Sequence, residues 1–426
     1  MRSTSTGQFK CRKVGKRRIW QLVATTSTRS STSTTIATPR TSLDSEFAQV
    51  NECKLRKPVD LPKDDGPTGS VGFPRDSASI ASEGSHKGLL LFIDFSDVPA
   101  GSDLRPTFES WQAPLVEQFF EATSYGKYNL KIVPSSKVYR VKSPFSEYNL
   151  TEAPGGGPLP GVPVRLQELL FDAMTAADSD INFSEYAFVS LAAPISGIPT
   201  LSGAFGVSLA DSQRFDGARF QFSSFAPLDA VLPKDQYNKI WNWSHDIGHM
   251  LGLMHPYNSG TQIAWDIMFN FAPQPDFLGW NKWKLNWISD SEVACLTEPP
   301  ANPLTILLKP VGNKAAGKKL LTVRLGPTTA IAIEVRRGTK LDKSPMSVAD
   351  EGTIVYRVDT TRNGDTRNEK SGPFELVSNP TKTTSGWNQY VVGTLKPNET
   401  TVVENFEIKV VQSAVDGDYV SVKRRN

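Results

Sequence analysis

One stretch of eleven residues concentrates most of the chain's capacity for chemistry. Residues 245–255 read HDIGHMLGLMH and hold His245, His249 and His255, three of only four histidines; His86 lies elsewhere. Residues four apart on an α-helix share a face, so His245 and His249 can address one point in space. Gly252 follows at a position where a left-handed residue ends a helix and turns the chain. The turn can bring His255 back as a third ligand. Neutral imidazoles bind zinc, and three protein ligands leave a fourth position open, which separates a catalytic zinc site from a structural one. The alternative is three histidines of a core or helix surface, but the spacing H-x-x-x-H-x-x-G-x-x-H has few accidental matches.

In motifs of this kind a Glu after the first His serves as general base toward water. Asp246 stands at that position. The carboxylate is kept on an arm shorter by one C–C bond, about 1.5 Å. Proton abstraction needs an approach of about 2.6–3.2 Å, directly or through one water. Three outcomes stay open: a helix closer to the metal, an additional bridging water, or reduced activity. A working hydrolase and a zinc-binding pseudoprotease with little or no turnover are both compatible with Asp246. Downstream, Trp265-Asp266-Ile267-Met268 places a methionine where metzincins carry a Met-turn beneath the ligands, although a lone Met is also ordinary core.

The elements that must position these residues can be traced along the chain. Gly88 to Phe95 is an apolar run of buried-strand length. Trp111, Leu115, Phe119 and Ala122 mark a helix within 108–123, and Tyr128 to Val133 and Lys137 to Val141 read as strands. The loop Pro154 to Pro158 precedes a helix near 163–177 with Val164, Leu166, Leu169, Leu170 and Met174 on its apolar face. Tyr186 to Ala192 reads as a buried strand and 218–225 as a half-buried one. The histidine helix begins near Tyr237, and residues 277–288 carry aromatics at helical spacing that suit core packing. Beyond Pro299-Pro300 come seven short β-branched runs separated by Gly, Pro, Asn and Asp, which predict a β-sandwich. The expected organisation is a basic, Ser/Thr-rich disordered arm or leader at 1–43 and an extended lead-in at 44–85. An α/β (α+β) catalytic domain at 86–298 and an all-β, sandwich-like domain at 303–426 follow.

The 426 residues suffice for two or three domains. No apolar stretch approaches the roughly 20 residues that span a bilayer. The formal charge of +3 is misleading, because nine of the 47 Lys and Arg precede Asp44, the first acid. Residues 44–426 therefore carry 38 basic against 44 acidic side chains, a net −6. The basic arm suits a processed leader. A nucleic-acid or polyanion binder acting through that arm is the other functional class, but few aromatics are interleaved, and none is expected for the mature body.

Together the segments LLLFIDFSD, VEQFFEATSYGKYNL, AADSDINFSEYAFVSL, WSHDIGHMLGLMH, WDIM and GWNKWKLNWIS resemble the immune inhibitor A family of secreted bacterial metalloproteases. The resemblance reaches more weakly into GTIVYRVDT and covers most of 86–426. It implies a metzincin-like catalytic domain, one catalytic Zn2+, protein or peptide substrates and an extracellular location, although no secretory signal is evident in residues 1–43. It makes His245, His249 and His255 the zinc ligands, Asp246 the general base and Met268 the Met-turn. Two departures stand out: Asp replaces Glu as the base, and His255 stands where this family often carries Asp. Tyr257 could act as a polarising phenol or simply pack. Cys53 and Cys295 flank the catalytic region and either pair or stay as thiols, Cys53 being also conceivable as a zinc-filling switch. Four N-x-S/T sequons, among them Asn242-Trp243-Ser244, would matter only in a eukaryotic host. Calcium binding stays open, with Asp178-Ser179-Asp180 as a loop that could take part, and a monomer is expected.

Overall fold

The structure, a computed structural model, describes residues 2–4, 7–14, 17–22, 46–58, 70–150, 162–195, 205–207, 209, 212–220, 223–227, 240–254, 262–263, 265–269, 276–338, 350–362, 372–379, 390–391 and 393–425. They fall into two units, Met1–Pro39 and Arg40–Asn426. In the first, within the stretch read as arm or leader, β1 (Arg2–Thr4), β2 (Gly7–Val14) and β3 (Arg17–Leu22) pair as an antiparallel meander.

The second unit is mixed α/β. Its first half runs through β4 (Gly84–Asp94), α1 (Leu104–Thr107), a π turn at Phe108–Gln112, α2 (Ala113–Thr123), β5 (Tyr128–Pro134) and β6 (Tyr139–Arg140). There follow α3 (Phe145–Tyr148), α4 (Val162–Ala177), β7 (Phe188–Ala193), β8 (Phe205–Val207) and β9 (Ser223–Pro227). The sheet order is β5-β4-β7-β9-β8, parallel except for edge strand β8, and β6 extends the sheet along β4. A parallel sheet needs cover on both faces, and the unbroken apolar run of β4 supplies both. Leu90 and Phe92 pack with Val116, Phe119 and Phe120 of α2. Leu89, Leu91 and Ile93 pack on the opposite face with Leu166, Leu169, Leu170 and Met174 of α4. The reading of 218–225 as a strand is displaced: the strand is Ser223–Pro227, and Ala218 makes only an isolated bridge to Phe215.

Next come α5 (Ile240–Met250), β10 (Gln262–Ile263) and the short α6 (Gly279–Lys284). Helix α5 covers the same sheet face as α2, through Trp243, Ile247 and Met250. Its register is pinned by a hydrogen bond: the Trp243 indole donates to Ser190 Oγ of β7 at 2.9 Å, and Ser190 in turn shares one with Ser224 of β9 at 2.6 Å.

The C-terminal half is mostly strand: β11 (Val293–Leu296), β12 (Leu304–Leu308), β13 (Leu320–Arg324), β14 (Thr329–Arg336), β15 (Gly352–Asp359), β16 (Phe374–Leu376), β17 (Tyr390–Val391), β18 (Thr400–Val403), β19 (Phe406–Ala414) and β20 (Gly417–Arg424). Strands β11-β13-β14-β15-β16 form one sheet and β12-β20-β19-β18 another, while β17 pairs with β10. One apolar layer joins the two sheets, with Ile331, Ile333 and Val335 of β14 against Ile408, Val410, Val420 and Val422. The other face of the five-stranded sheet, with Ala332, Ile354, Tyr356 and Val358, meets Trp265, Phe269, Trp280 and Trp283. Strands β14 and β15 are thus buried on both sides, and the two halves of the unit share a core. A Cys53–Cys295 disulfide ties the lead-in to β11. Among the described residues no helix is long and apolar enough to cross a membrane.

Candidate metal centre

His245 is buried and His249 half-buried on α5, one turn apart. The Nδ1 atom of His245 lies 2.8 Å from the Ile267 carbonyl, and that of His249 lies 2.8 Å from the Leu253 carbonyl. A carbonyl only accepts, so both rings carry their proton on Nδ1 and present an Nε2 lone pair. These two Nε2 atoms sit 3.0 Å apart, with the rings nearly perpendicular at 87°. Facing lone pairs repel, and a proton or cation shared between them removes the repulsion. Backbone carbonyls that hold the far nitrogen are also the usual orienting partners of metal-binding histidines.

Asp246, between them in sequence, is buried, and its Oδ2 has no hydrogen-bond partner among the described residues. Burial pushes its pKa well above the ordinary carboxylate value. An uncompensated buried carboxyl is costly as an anion, and a nearby cation would reverse that preference.

The C-terminal end of α5 is closed by several groups. Gly252 takes φ +87°, its N–H donates to the His249 carbonyl at 2.8 Å, and the Leu253 N–H donates to the Gly248 carbonyl at 3.0 Å. This pair of bonds is a Schellman cap, which satisfies the helix's last carbonyls and turns the chain. The lead-in completes the closure: Ile80 N–H donates to the Met250 carbonyl at 3.0 Å and Arg75 to the Leu251 carbonyl at 3.2 Å. Buried Lys284 donates to the Gly252 carbonyl at 3.1 Å and also to the Ser70 carbonyl.

Beneath the helix, Trp265 to Phe269 forms a tight turn in which the Phe269 N–H donates to the Asp266 carbonyl at 3.0 Å. Asp266 Oδ1 accepts from the Met268 N–H at 2.8 Å, and Oδ2 accepts from the Leu278 N–H and Asn281 Nδ2 at 3.0 and 2.7 Å. Desolvation raises the Asp266 pKa to about 7 in spite of these bonds. The turn touches the histidine helix twice. Its Ile267 carbonyl orients His245, and fully buried Met268 lies against Gly248, where a Cβ would come within 2.5 Å of its sulfur. A glycine between the two histidines is therefore a packing requirement, which the spacing alone did not disclose.

The structure brings together His245, His249, Asp246, Gly252 and Met268. His255 and Tyr257 lie outside the described residues, and among the described residues no group of three or more His, Cys, Asp or Glu is placed to hold a metal. In the loop considered for calcium, Asp180 pairs with Lys137 at 2.6 Å. Sequence reasoning passed over Arg75, Lys284, Glu334, Arg336 and Tyr356, and took Asp266 only as a member of the turn. The signal for two of them was present: Glu334 and Arg336 are charges two apart, on one strand face, in the apolar run AIAIEVRR.

No family model matches the chain, and no curated protein matches it. Among solved structures, metalloproteinase-II from Bacteroides fragilis is similar at 14% identity and a TM-score of 0.29. That match covers 56% of this chain and 61% of the other, so the chain spans less than two thirds of that protein.

Proposed function

We propose that the chain is a zinc-dependent metalloendopeptidase, with His245, His249 and His255 holding one Zn2+ and Asp246 in the general-base position. The observation that carries this reading is the pair of Nε2 atoms 3.0 Å apart, each ring fixed through Nδ1 on a backbone carbonyl. Imidazole donors of this kind suit zinc, which bound there supplies a Lewis acid for the scissile carbonyl and lowers the pKa of water. Asp246 takes the proton from the attacking water and returns it to the leaving amine. Ile267 and Leu253 keep both imidazoles in the tautomer that offers Nε2. The proposed substrates are extracellular proteins or peptides, and the proposed location is outside the cell.

A second reading, a zinc-binding pseudoprotease with little turnover, is favoured by one feature. Asp246 is only 2% exposed, on an arm shorter than that of Glu, so reaching a substrate-side water demands more of it. Casein hydrolysis by wild type, Asp246→Ala and Asp246→Glu separates the two. The protease reading expects wild-type cleavage that Asp246→Ala abolishes. An inactive wild type that retains zinc, with activity appearing in Asp246→Glu, supports the pseudoprotease.

A further inference from the structure

The turn beneath the histidines is held from the C-terminal half of the chain. Arg336 of β14, fully buried, donates to the Trp265 carbonyl at 2.6 Å and to the Phe277 carbonyl at 3.0 Å. It also pairs with Glu334 Oε1 at 3.0 Å, and its guanidinium lies 5.2 Å from the Trp265 ring centroid. Glu334 Oε2 accepts from the Gly279 N–H at 2.6 Å and from Tyr356 Oη at 2.8 Å, and Tyr356 Oη accepts from the Trp280 N–H at 3.2 Å. These contacts fall on both sides of residues 266–268. Two charges buried together are weak evidence for a purely stabilising role, since apolar residues of similar volume often serve as well.

We infer that Glu334, Arg336 and Tyr356 are positioning residues for the metal centre, acting through the Ile267 carbonyl on His245 and through Met268 on Gly248. The inference rests on the zinc reading above and assigns the C-terminal sheet a part in the site. The guanidinium spans two carbonyls that lie twelve residues apart in sequence, one before and one after the turn. Glu334 fixes the guanidinium and the start of α6 at once. Movement of this triad displaces the carbonyl that sets the orientation of the His245 ring.

The test uses the full chain and three variants: Tyr356→Phe, Arg336→Lys and, as a control from the far side of the β half, Val420→Ala. Zinc affinity is measured by competition with a chromophoric chelator, and amide exchange is followed across 265–269 and 276–279 in the metal-free protein. Loss of an orienting partner is expected to weaken zinc binding about 10–100-fold in Arg336→Lys. A smaller loss in the same direction is expected for Tyr356→Phe, with faster exchange confined to those two segments in both. Val420→Ala is expected to lower the melting temperature without changing zinc affinity. Tyr356→Phe keeps the test decisive should Arg336→Lys fail to fold. Wild-type zinc binding with unchanged affinity and exchange in Tyr356→Phe overturns the inference alone. Absence of zinc binding by wild type overturns the site reading and the inference with it.

Discussion

Gly248→Ala probes the contact between the histidine helix and the turn beneath it. At an open helical glycine, alanine would stabilise by about 1 kcal/mol through backbone entropy and helix propensity. Here the new Cβ would lie 2.5 Å from Met268 Sδ and 3.4 Å from Met268 Cε and Phe277 Cε1. Comfortable apolar contacts are about 3.5–4.0 Å, so the sulfur must retreat by about 1 Å in a fully packed core. Overpacking of this kind costs about 1–3 kcal/mol, which leaves a net destabilisation of about 0–2 kcal/mol. Met268→Ala alone costs about 2–5 kcal/mol through its cavity. In the double variant the added methyl meets no sulfur, so the cycle should show a favourable coupling of about 1–3 kcal/mol. Urea unfolding of the four proteins measures it. A Gly248→Ala protein stabilised by the full helical gain, or a strictly additive double variant, would refute the contact.

Replacing Cys53 and Cys295 together by Ala should lower unfolding free energy by about 2–5 kcal/mol, because the bridge constrains a long stretch of unfolded chain; urea unfolding of the variant against the oxidised wild type checks it. Lys284 is desolvated, and its pKa is lowered from 10.5 to about 7. Between those values the unfolded chain binds more protons than the folded one, so its contribution makes stability rise with pH from about 7 to 10.5. Unfolding free energies over that range should rise less in Lys284→Met than in wild type, and parallel pH profiles would contradict the assignment. Arg75→Ala removes a donor from the Ile80 and Leu251 carbonyls, at 2.5 and 3.2 Å, and should speed amide exchange at Ile80 and Leu253 ahead of the rest of the protein.

The elements that bury apolar faces were legible because their signals are local. The run from Leu89 to Phe95 and the helix spacing from Leu166 to Met174 each depend on a single periodicity. The placement of His245 and His249 one turn apart on a helix was legible for the same reason, since spacing on a helix is a property of neighbouring residues. Long-range pairing left no such trace. Nothing near Arg336 says that its guanidinium reaches the Trp265 and Phe277 carbonyls, and nothing near Arg75 says that it caps α5. The aromatics of 277–288 do pack as core, yet only Gly279–Lys284 is helical, because Leu285 to Ile288 turn back over Lys282. Six of the seven runs beyond residue 303 became the strands their β-branched residues suggest, and in the remaining one, residues 389–395, the strand among the described residues is Tyr390–Val391. That one sheet would bury both faces, one against the tryptophans of 265–283, follows from tertiary packing.

The central claim is that the chain binds one zinc ion through the histidines of 245–255 and hydrolyses peptide bonds with it. Metal analysis of the purified full chain, with casein hydrolysis followed before chelation, after chelation and after zinc is restored, tests it most directly. One zinc per chain is expected, with loss of hydrolysis when the metal is removed, recovery on its return, and neither metal nor activity in His245→Ala. A wild-type chain that binds no zinc, or hydrolysis that persists in the metal-free protein, would contradict it.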